Sequence, residues 1–531
     1  MPKTTLPYKD TGYFSQLMCD YLDQKESLHP FYDKFPLLDN FSKQMEEKGN
    51  AFTSKKRQVL VTQLKAQYEG IEVSEATRDH IALLAKENTF TITTGHQLNL
   101  FTGPLYFLHK IVSVINLAEQ LKATYPTSNF VPIYWMATED HDFDEINYFN
   151  LFGKKLQWNR TSGGAVGELS NEGLEVIAEV LQQALGQSEN AQKLTTLFTE
   201  AYTKHATLTE ATRSLANALF AEYGLVIVDG NDAELKKAFI PYAEKELFEN
   251  RSFKKVTETT KRLTALGYGA QVTPREINLF YLSEGLRERI VEKEGIFYGN
   301  DSNISFDRDK MLKQLHENPK SISPNALLRP LYQEVILPNL CYVGGGGELA
   351  YWFQLKDYFE SVEVPFPILL LRNSALVVPE KLLEKLERLE VDITALFAKQ
   401  NDLKTAHTHH LSEIKIDLTP QRELLTAQFS DLYDLAKQTD ASFLGAVGAQ
   451  EKKQLNGLDH LEKRLLRAQK RKLADQLDRL VAIQDVLFPG QSLQERTTNF
   501  SEYYLEYGDA LLTALKENLD PLDHEFTIIT L

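Results

Sequence analysis

Short apolar runs alternate with amphipathic stretches through the middle of the chain, and this alternation is the strongest structural signal in the sequence. The first two runs are separated by a glycine turn and a helical pattern over 107–121. A strand, a helix and a second strand form a βαβ unit with a right-handed crossover, which implies a parallel sheet. Apolar or β-branched runs predict strands at 90–94, 131–136, 225–230, 341–343 and 367–372. The pattern therefore predicts an α/β fold with a Rossmann-like, doubly wound parallel sheet.

The segments around this core differ in texture and predict a domain order. We expect a helical N-terminal part that packs on the core, a core in two halves, a helical insertion between them, a coiled coil, and a C-terminal segment that returns to the core. The N-terminal part is predicted to cover 1–88, and the two halves of the core 89–156 and 223–379, the second of which carries a connective segment. The insertion is predicted at 157–222, the coiled coil at 380–490 and the C-terminal segment at 491–531.

Two leucine patterns predict the coiled coil. Leu382, Leu386, Leu389, Ile393 and Leu396 follow a 4-3-4-3 spacing, which is typical of a helical seam. Leucines also recur at every seventh position from 466 to 487. We expect the two helices to form an antiparallel hairpin that joins two subunits in a homodimer.

Charge and cysteine content narrow the function. The 531 residues carry a formal charge of −16, which disfavours nucleic acid or an anionic membrane as the main partner. Cys19 and Cys341 are the only two cysteines, so neither a disulfide framework nor a thiolate zinc site is expected. The N-terminus has no apolar core of the signal-peptide type, and no window resembles a membrane helix. These features predict a cytoplasmic protein.

The first predicted strand ends in "TTGHQLNLFTGP", which is a candidate phosphate site. Thr93-Thr94-Gly95-His96 fits the (H/T)xGH pattern of nucleotidyltransferases and class I aminoacyl-tRNA synthetases, in which the histidine donates to phosphate oxygens. The alternative is a turn glycine followed by an incidental histidine. Gln97, Gly103, His109 and Lys110 continue the candidate site, although His109 and Lys110 could equally serve packing or helix-side charge.

The second predicted strand runs into "MATEDHDFDEIN", which has three readings. Glu139, Asp140, His141 and Asp142 could hold a metal, bind a substrate amine or act as a base, or simply start a helix. Consecutive side chains diverge, so they cannot all meet one ion. We predict a helix start that also directs one or two carboxylates into a cleft.

The third candidate loop is "GGGGELAYW", where four glycines permit a ligand to approach the backbone closely. The pattern matches neither a Walker A loop nor a GxGxxG fingerprint, and the alternative is a plain flexible turn. "ISPNALLR" upstream resembles a phosphate-binding element loosely, and Arg372 ends the last predicted strand. The candidate residues of the glycine loop are Gly344, Gly345, Gly346, Gly347, Glu348, Tyr351 and Trp352. The upstream segment adds Ser323 and Arg329, and the end of the last strand adds Arg372.

Four long blocks resemble the bacillithiol-biosynthesis cysteine ligase family, BshC: "TGHQLNLFTGPLYFLHK", "ATEDHDFDEIN", "RPLYQEVILPNLCYVGGGGELAYWFQLK" and "LQERTTNF". The resemblance implies a ligase that joins the carboxyl group of L-cysteine to the amino group of glucosaminyl-malate. It implies ATP as cosubstrate, with Mg²⁺ as an optional companion, and leaves adenylate and acyl-phosphate activation open. It further implies a synthetase-like core with connective-peptide insertions and a dimerising coiled coil. In the related mycothiol ligase zinc selects cysteine, and this chain lacks the thiolates to copy that site.

The resemblance implies a role for each group of candidate site residues. His96, Asp140, His141 and Asp142 are expected to be catalytic, and the TTGH, ISPNALLR and glycine segments are expected to bind nucleotide. Seven residues are expected to contact substrate: Glu139, Asp140, Asp142, Glu348, Tyr351, Trp352 and Arg372.

Two departures from the family pattern limit these tasks. Relatives commonly have glutamine at position 96, so we expect a phosphate-facing donor there and not an indispensable acid. They often have "GGPGE" where this chain has "GGGGE". "ERTTNF" could contact ligand or pack against the core. Competing interpretations are a nucleotidyltransferase that adenylates a small acid and a dimeric nucleotide-binding scaffold.

Overall fold

A computed structural model describes residues 3–531. The chain forms two compact units: residues up to 377 together with 494–531, and residues 378–493. Within the described range, no helix is both long enough and apolar enough to cross a membrane.

The described residues contain fifteen β-strands. They are β1 (Lys3–Pro7), β2 (Thr89–His96), β3 (Asn129–Met136), β4 (Tyr148–Leu151), β5 (Lys154–Gln157), β6 (Val226–Asp229), β7 (Leu279–Ser283), β8 (Leu286–Lys293), β9 (Ile296–Gly299), β10 (Ser305–Phe306), β11 (Ile322–Pro324), β12 (Asn339–Gly344), β13 (Ile368–Leu371), β14 (Ala375–Val378) and β15 (Glu525–Thr530).

The α-helices connect and cover these strands. They are α1 (Gln16–Leu22), α2 (Asn40–Ala51), α3 (Ser54–Gln67), α4 (Glu75–Leu83), α5 (Tyr106–Thr124), α6 (Phe143–Ile146), α7 (Leu174–Leu185), α8 (Glu189–Thr203), α9 (Leu208–Phe220), α10 (Ala233–Lys237), α11 (Ile240–Glu249), α12 (Arg251–Ala265), α13 (Arg308–Glu317), α14 (Arg329–Ile336), α15 (Gly346–Trp352), α16 (Lys356–Ser361), α17 (Glu380–Arg388), α18 (Gln400–Leu411), α19 (Thr419–Ala436), α20 (Ala441–Lys472), α21 (Ala474–Leu487), α22 (Gln494–Thr497), α23 (Phe500–Tyr507) and α24 (Ala510–Asn518).

The larger unit is built on a five-stranded parallel sheet with the order β13-β12-β2-β3-β6. Every residue of β2, β12 and β13 is buried, as expected for parallel strands covered on both faces. The chain runs from β2 outward through β3 and β6, and later returns to β12 and β13 on the other side. The predicted doubly wound Rossmann-like sheet is confirmed, and its topological switch point lies between β2 and β12.

Helices α1 to α4 lie within the predicted helical N-terminal part, but residues 3–7 form a strand where the sequence predicted helix. β1 pairs with β15 in antiparallel register, with Lys3 opposite Ile529 and Pro7 opposite Glu525. Its partner strand lies more than 500 residues away in the sequence, so no local pattern reveals the pairing.

The connective segment also contains more strand than the sequence predicted. β7 to β11 form an antiparallel sheet with the order β10-β9-β8-β7-β11. Helices α7, α8 and α9 lie within the segment 157–222, for which the sequence predicted a helical insertion.

The smaller unit is helical, as predicted, but both leucine patterns continue across helix ends. α17 stops at Arg388, and the chain turns at Glu390, whose φ is 55°, before Ile393 is reached. The heptad pattern crosses a second break, since Leu473 has φ −99° and ψ 13° between α20 and α21. Neither leucine pattern therefore lies on one continuous helix.

Candidate active site

A cavity of about 890 Å³ in the larger unit opens at the carboxyl ends of the parallel strands around the switch point. This is the position at which open α/β sheets bind ligands. It brings together residues that lie far apart in sequence. The predicted site residues that line it are Gly95, His96, Gln97, Lys110, Glu139, Asp140, His141, Arg329, Gly345, Gly346, Gly347, Glu348, Tyr351 and Arg372.

Seven predicted site residues lie outside this lining. Thr94 turns into the sheet, where its hydroxyl donates to Val343 O over 2.7 Å. Asp142 is exposed, and it lies at the start of α6 without capping it through its side chain. Gly103 has a left-handed φ of 65° and packs against Asn99, so that its role is conformational.

The other four are buried for packing or hydrogen bonding. His109 is fully buried against Glu495, and Ser323 lies inside β11. Trp352 packs its ring 4.7 Å from that of Tyr342. At Gly344 a Cβ atom would lie 2.8 Å from the Tyr342 ring, so glycine is needed there for close packing.

Lys110 and Glu348 form the centre of the switch point. Lys110 Nζ lies 2.6 Å from Glu348 Oε2 and donates to Gly95 O over 2.8 Å, which ties α5 to both loops. Tyr342 Oη and the backbone N–H of Gly345 also donate to Glu348. Burial alone would raise the pKa of Glu348, but the Lys110 charge and these hydrogen bonds outweigh it and lower that pKa to about 2. Glu348 is therefore a carboxylate.

His96 lies at the end of β2 and packs between the rings of Tyr106 and Phe107. Burial, assisted by the charge of Lys110, lowers the pKa of His96 to about 3. The imidazole is therefore neutral at physiological pH, and its Nε2 has no hydrogen-bond partner within the protein. A neutral imidazole can form one hydrogen bond with a ligand through Nε2, but it supplies no positive charge to a phosphate.

The acidic stretch is divided between separate partners. Glu139 forms an ion pair with the buried Lys236. Asp140 accepts from Gln97 Nε2 over 3.0 Å and from the backbone N–H of His141 over 2.8 Å. Burial would raise the pKa of Asp140, yet the hydrogen bonds from His141 and Gln97 and the charge of Arg287 lower it well below its usual range. Asp140 is a carboxylate suited to binding a cation and poorly suited to accepting a proton.

Positive side chains dominate the rest of the lining. Lys110 and six arginines line the cavity, whereas only three carboxylates do: Glu139, Asp140 and Glu348. This excess of cations is local, because the whole chain carries −16. An anionic ligand is therefore favoured in the cleft. The arginines that line it are Arg275, Arg287, Arg289, Arg329, Arg372 and Arg496.

Four of these arginines were not predicted from the sequence as site residues: Arg275, Arg287, Arg289 and Arg496. Arg287 and Arg289 lie on β8, two residues apart, and therefore on one face of the antiparallel sheet. Arg287 Nη1 lies 2.7 Å from His141 Nδ1, and its guanidinium stacks over the ring of Phe280 at 4.0 Å. Alternating charged residues in "LRERIVEK" were the available signal for a strand, but nothing local indicated which face would meet the cleft.

The glycine run serves two purposes. At Gly346 an added Cβ atom would lie 3.0 Å from Met18, so this position is packed. At Gly345 and Gly347 the nearest atoms would be 3.5 Å and 3.8 Å away, so that neither the fold nor a positive φ requires glycine there. These two residues leave room in the cleft for a ligand to approach the backbone.

The donor set fits an anionic ligand better than a metal ion. Arg329 is held by Gln333 at 3.0 Å and Tyr351 at 3.1 Å, and Arg372 by Glu495 at 2.7 Å, so both guanidinium groups are fixed at the wall. In the described part of the chain, no group of three or more His, Cys, Asp or Glu residues is arranged to hold a metal ion. The absence of zinc stays a prediction.

Fold and cleft together define a Rossmann-like α/β protein whose ligand site lies at the switch point of the parallel sheet. Two family models match the chain. The N-terminal Rossmann-like domain of bacillithiol biosynthesis BshC matches residues 1–373, and the C-terminal coiled-coil domain of BshC matches residues 375–531. The chain belongs to the BshC family of bacillithiol biosynthesis, so the expected resemblance is confirmed.

Curated relatives agree over their full length. A protein of Flavobacterium johnsoniae is 55% identical over 531 residues, covering 100% of both chains. One from Christiangramia forsetii is 53% identical, covering 100% of this chain and 99% of the relative. One from Bacillus cereus is 26% identical, covering 97% and 98%. Each is named "Putative cysteine ligase BshC", which agrees with the ligase class expected from the sequence.

Proposed function

We propose that the protein joins the carboxyl group of L-cysteine to the amino group of glucosaminyl-malate, with ATP as the source of carboxyl activation. Forming the amide removes the elements of water, and a free carboxylate does not undergo this step without activation. The observation that carries the proposal is the cation-rich cleft at the switch point of a chain from the BshC family. Two of the three substrates are polyanions, namely ATP and the malate-bearing sugar.

Phosphate groups would be held on the side of β2 and β12. Gly345 and Gly347 leave space there, and Arg329 and Arg372 present fixed guanidinium groups. Guanidinium groups pair well with phosphate and carboxylate oxygens because of their planar donor geometry. Lys110 contributes charge, but its ammonium group is already engaged by Glu348, so we assign it the role of holding Gly95 and the glycine run in place.

The amine partner would be held on the side of β3. Asp140 is ionised and directed into the cleft, whereas Glu139 is neutralised by Lys236 and Asp142 points away. Asp140 is therefore the best ligand for the ammonium group of a substrate. Because its pKa lies well below the usual range, we propose binding and not proton abstraction as its role.

We further propose that the protein is a homodimer through its helical unit. α19 and α20 pack on each other around Phe429, Ala436 and Val447, yet their outer surface keeps apolar side chains in solvent. A surface of this kind marks an interaction site. The exposed apolar residues on the two helices are Leu424, Leu432, Leu435, Phe443, Leu444 and Leu461.

One incubation tests the catalytic proposal. The purified protein is mixed with ATP, L-cysteine and glucosaminyl-malate, and bacillithiol is sought by mass spectrometry. Amide formation that requires all three substrates supports the ligase. AMP or ADP release that depends on cysteine but yields no amide favours a nucleotidyltransferase, and nucleotide binding without turnover favours a scaffold. A Mg²⁺ requirement and a cytoplasmic location stay predictions.

A further inference from the structure

Glu495 is a fully buried carboxylate in α22, within the "LQERTTNF" block, and the roles above do not use it. Its two oxygens receive three hydrogen bonds. Oε1 accepts from Arg372 Nη2 over 2.7 Å, and Oε2 accepts from His109 Nδ1 over 3.0 Å and from the backbone N–H of Ala375 over 3.1 Å. A buried carboxylate is costly unless it is paired in this way, so the arrangement must fix the groups around it.

Arg372 shows what the arrangement fixes. Its Nη1 donates to Asn373 O over 2.8 Å and to Ser374 Oγ over 3.0 Å, and Nη2 is taken by Glu495. Of the five N–H groups of the guanidinium this leaves a second one on Nη2 and the one on Nε, and Nε is buried and has no partner in the protein. A Cβ atom placed on Gly345 would lie 3.8 Å from Nε, so this N–H faces the space beside the open glycine.

We propose that Glu495 is a positioning residue that acts through Arg372, presenting the Arg372 Nε–H to an anionic oxygen of the substrate beside Gly345. The inference rests on the proposed function for the identity of the ligand. The oxygen belongs either to a phosphate of ATP or to a carboxylate of glucosaminyl-malate. In both cases a charged donor of fixed orientation meets an anion in a site that is largely shielded from water.

The neighbours of Glu495 give it a fixed base. Gln494 pairs with the backbone of Val377 in both directions, over 3.0 Å to its N–H and 2.9 Å to its carbonyl. Asn499 donates to Phe101 O and Gly103 O over 2.8 Å and 2.6 Å. These contacts attach the segment to β14 on one side and to the loop after β2 on the other, so that Glu495 approaches Arg372 from a rigid element.

Glu495→Gln separates two physical effects of opposite sign. Removing the negative charge makes the cleft more positive, which by itself would tighten anion binding. The amide also has one acceptor oxygen where the carboxylate has two, so its NH2 group must face either Arg372 or the Ala375 N–H and His109, which displaces the side chain and releases Arg372. If the loss of the Arg372 orientation outweighs the gain in positive charge, the affinity for the anion falls by about tenfold or more, since a well-placed charged hydrogen bond is lost.

The experiment is calorimetric titration of the full-length protein with ATP and, separately, with glucosaminyl-malate. Glu495→Gln is expected to raise the Kd of one probe by about tenfold, which also identifies the source of the anion. In a cycle with Arg372→Lys, the double variant is expected to bind no more weakly than Arg372→Lys alone, because both changes remove the same contact. Glu495→Asp keeps the charge and is expected to restore part of the affinity; it serves as the test variant if Glu495→Gln does not fold.

Glu502→Gln is the matched control, because Glu502 lies in the neighbouring α23 and accepts from Phe152 N over 2.8 Å, away from the cleft. It is expected to leave both Kd values unchanged. Unchanged or tighter binding by Glu495→Gln, or additive losses in the cycle, would overturn the inference. So would a wild-type protein that binds neither probe. Binding that depends on Glu495 in a protein that makes no amide would contradict the ligase and leave the positioning role intact.

Discussion

Lys110 and Glu348 form an ion pair between a buried ammonium group and a half-buried carboxylate, with Lys110 Nζ 2.6 Å from Glu348 Oε2. Lys110 belongs to the helix that follows β2, and Glu348 to the helix that follows β12, so the pair joins the two elements that diverge at the switch point. The pair therefore holds together the two loops that form the floor of the cleft.

Lys110→Met should destabilise the larger unit, because Glu348 would keep a shielded charge without its partner. We expect a loss of about 2–4 kcal/mol in the free energy of unfolding, measured by urea denaturation. Lys516→Met is the matched control, since Lys516 pairs at 2.6 Å with a Glu119 that is 58% exposed. That surface pair should cost less than about 1 kcal/mol. Equal losses would show that the switch-point pair has no special role.

His96→Gln should reduce the sensitivity of the protein to acid. The pKa of His96 is lowered from 6.5 to about 3, so between these values the unfolded chain binds a proton that the folded chain does not. Stability is therefore lost as the pH falls through this range. Between pH 7.5 and 5.5 the variant should lose about 1 kcal/mol less unfolding free energy than the wild type. An identical loss would mean that His96 is protonated in the folded protein.

Asp140→Asn and Asp142→Asn should have different effects. From the sequence both changes were expected to impair activity, but only Asp140 lines the cleft. Asp140→Asn should raise the KM for the amine substrate by about tenfold while Tm stays within a few degrees, because an ionic contact becomes a neutral one. Asp142→Asn is the control and should behave as wild type. If Asp140→Asn also keeps full activity, the acidic stretch is only a helix start.

Gly345→Ala and Gly347→Ala should fold normally and bind nucleotide poorly. A Cβ atom at these positions meets no protein atom closer than 3.5 Å, so any loss of affinity must come from the ligand. Gly344→Ala should do the opposite and lower Tm, since its Cβ would lie 2.8 Å from the Tyr342 ring. Thermal unfolding and nucleotide titration of all three variants check this. Wild-type affinity in both Gly345→Ala and Gly347→Ala would place the ligand elsewhere.

Leu424→Glu combined with Leu461→Glu should convert a dimer into a monomer. These side chains are 67% and 54% exposed on α19 and α20, and a charge there would not be tolerated in an apolar interface. Light scattering after size-exclusion chromatography measures the mass. Val176→Glu is the control, because Val176 is 56% exposed on α7 of the other unit. A wild-type protein that is monomeric at micromolar concentration would refute the proposed dimer.

The parallel core could be predicted because its strands carry their own signal. Runs such as 131–136 and 225–228 are apolar throughout, since both faces of the sheet are covered. The loops at their ends followed from the rule that ligands bind at the carboxyl ends of such strands. Resemblance of whole blocks then indicated the family.

The rest of the site depends on contacts that no local pattern encodes. Glu495 is 123 positions from Arg372, and a glutamate inside "LQERTTNF" reads as an ordinary helix charge. His109 looked like a phosphate ligand because its neighbours are site residues. Adjacent residues of a helix point about 100° apart, however, so His109 meets Glu495 whereas Lys110 meets Glu348. Asp140 and Asp142 are equally acidic in the sequence, and only the backbone path after β3 distinguishes them.

The pairing of β1 with β15 has a consequence for how the protein is made. Residues 3–7 are synthesised long before their partner strand, 525–530. Glu495 and Arg496 are also synthesised only after the whole helical unit. Every strand of the parallel sheet precedes residue 372, so the sheet is synthesised well before the last arginine of the cleft and its buried carboxylate. A chain that is truncated before residue 495 would therefore carry an unfinished site whatever the stability of its sheet.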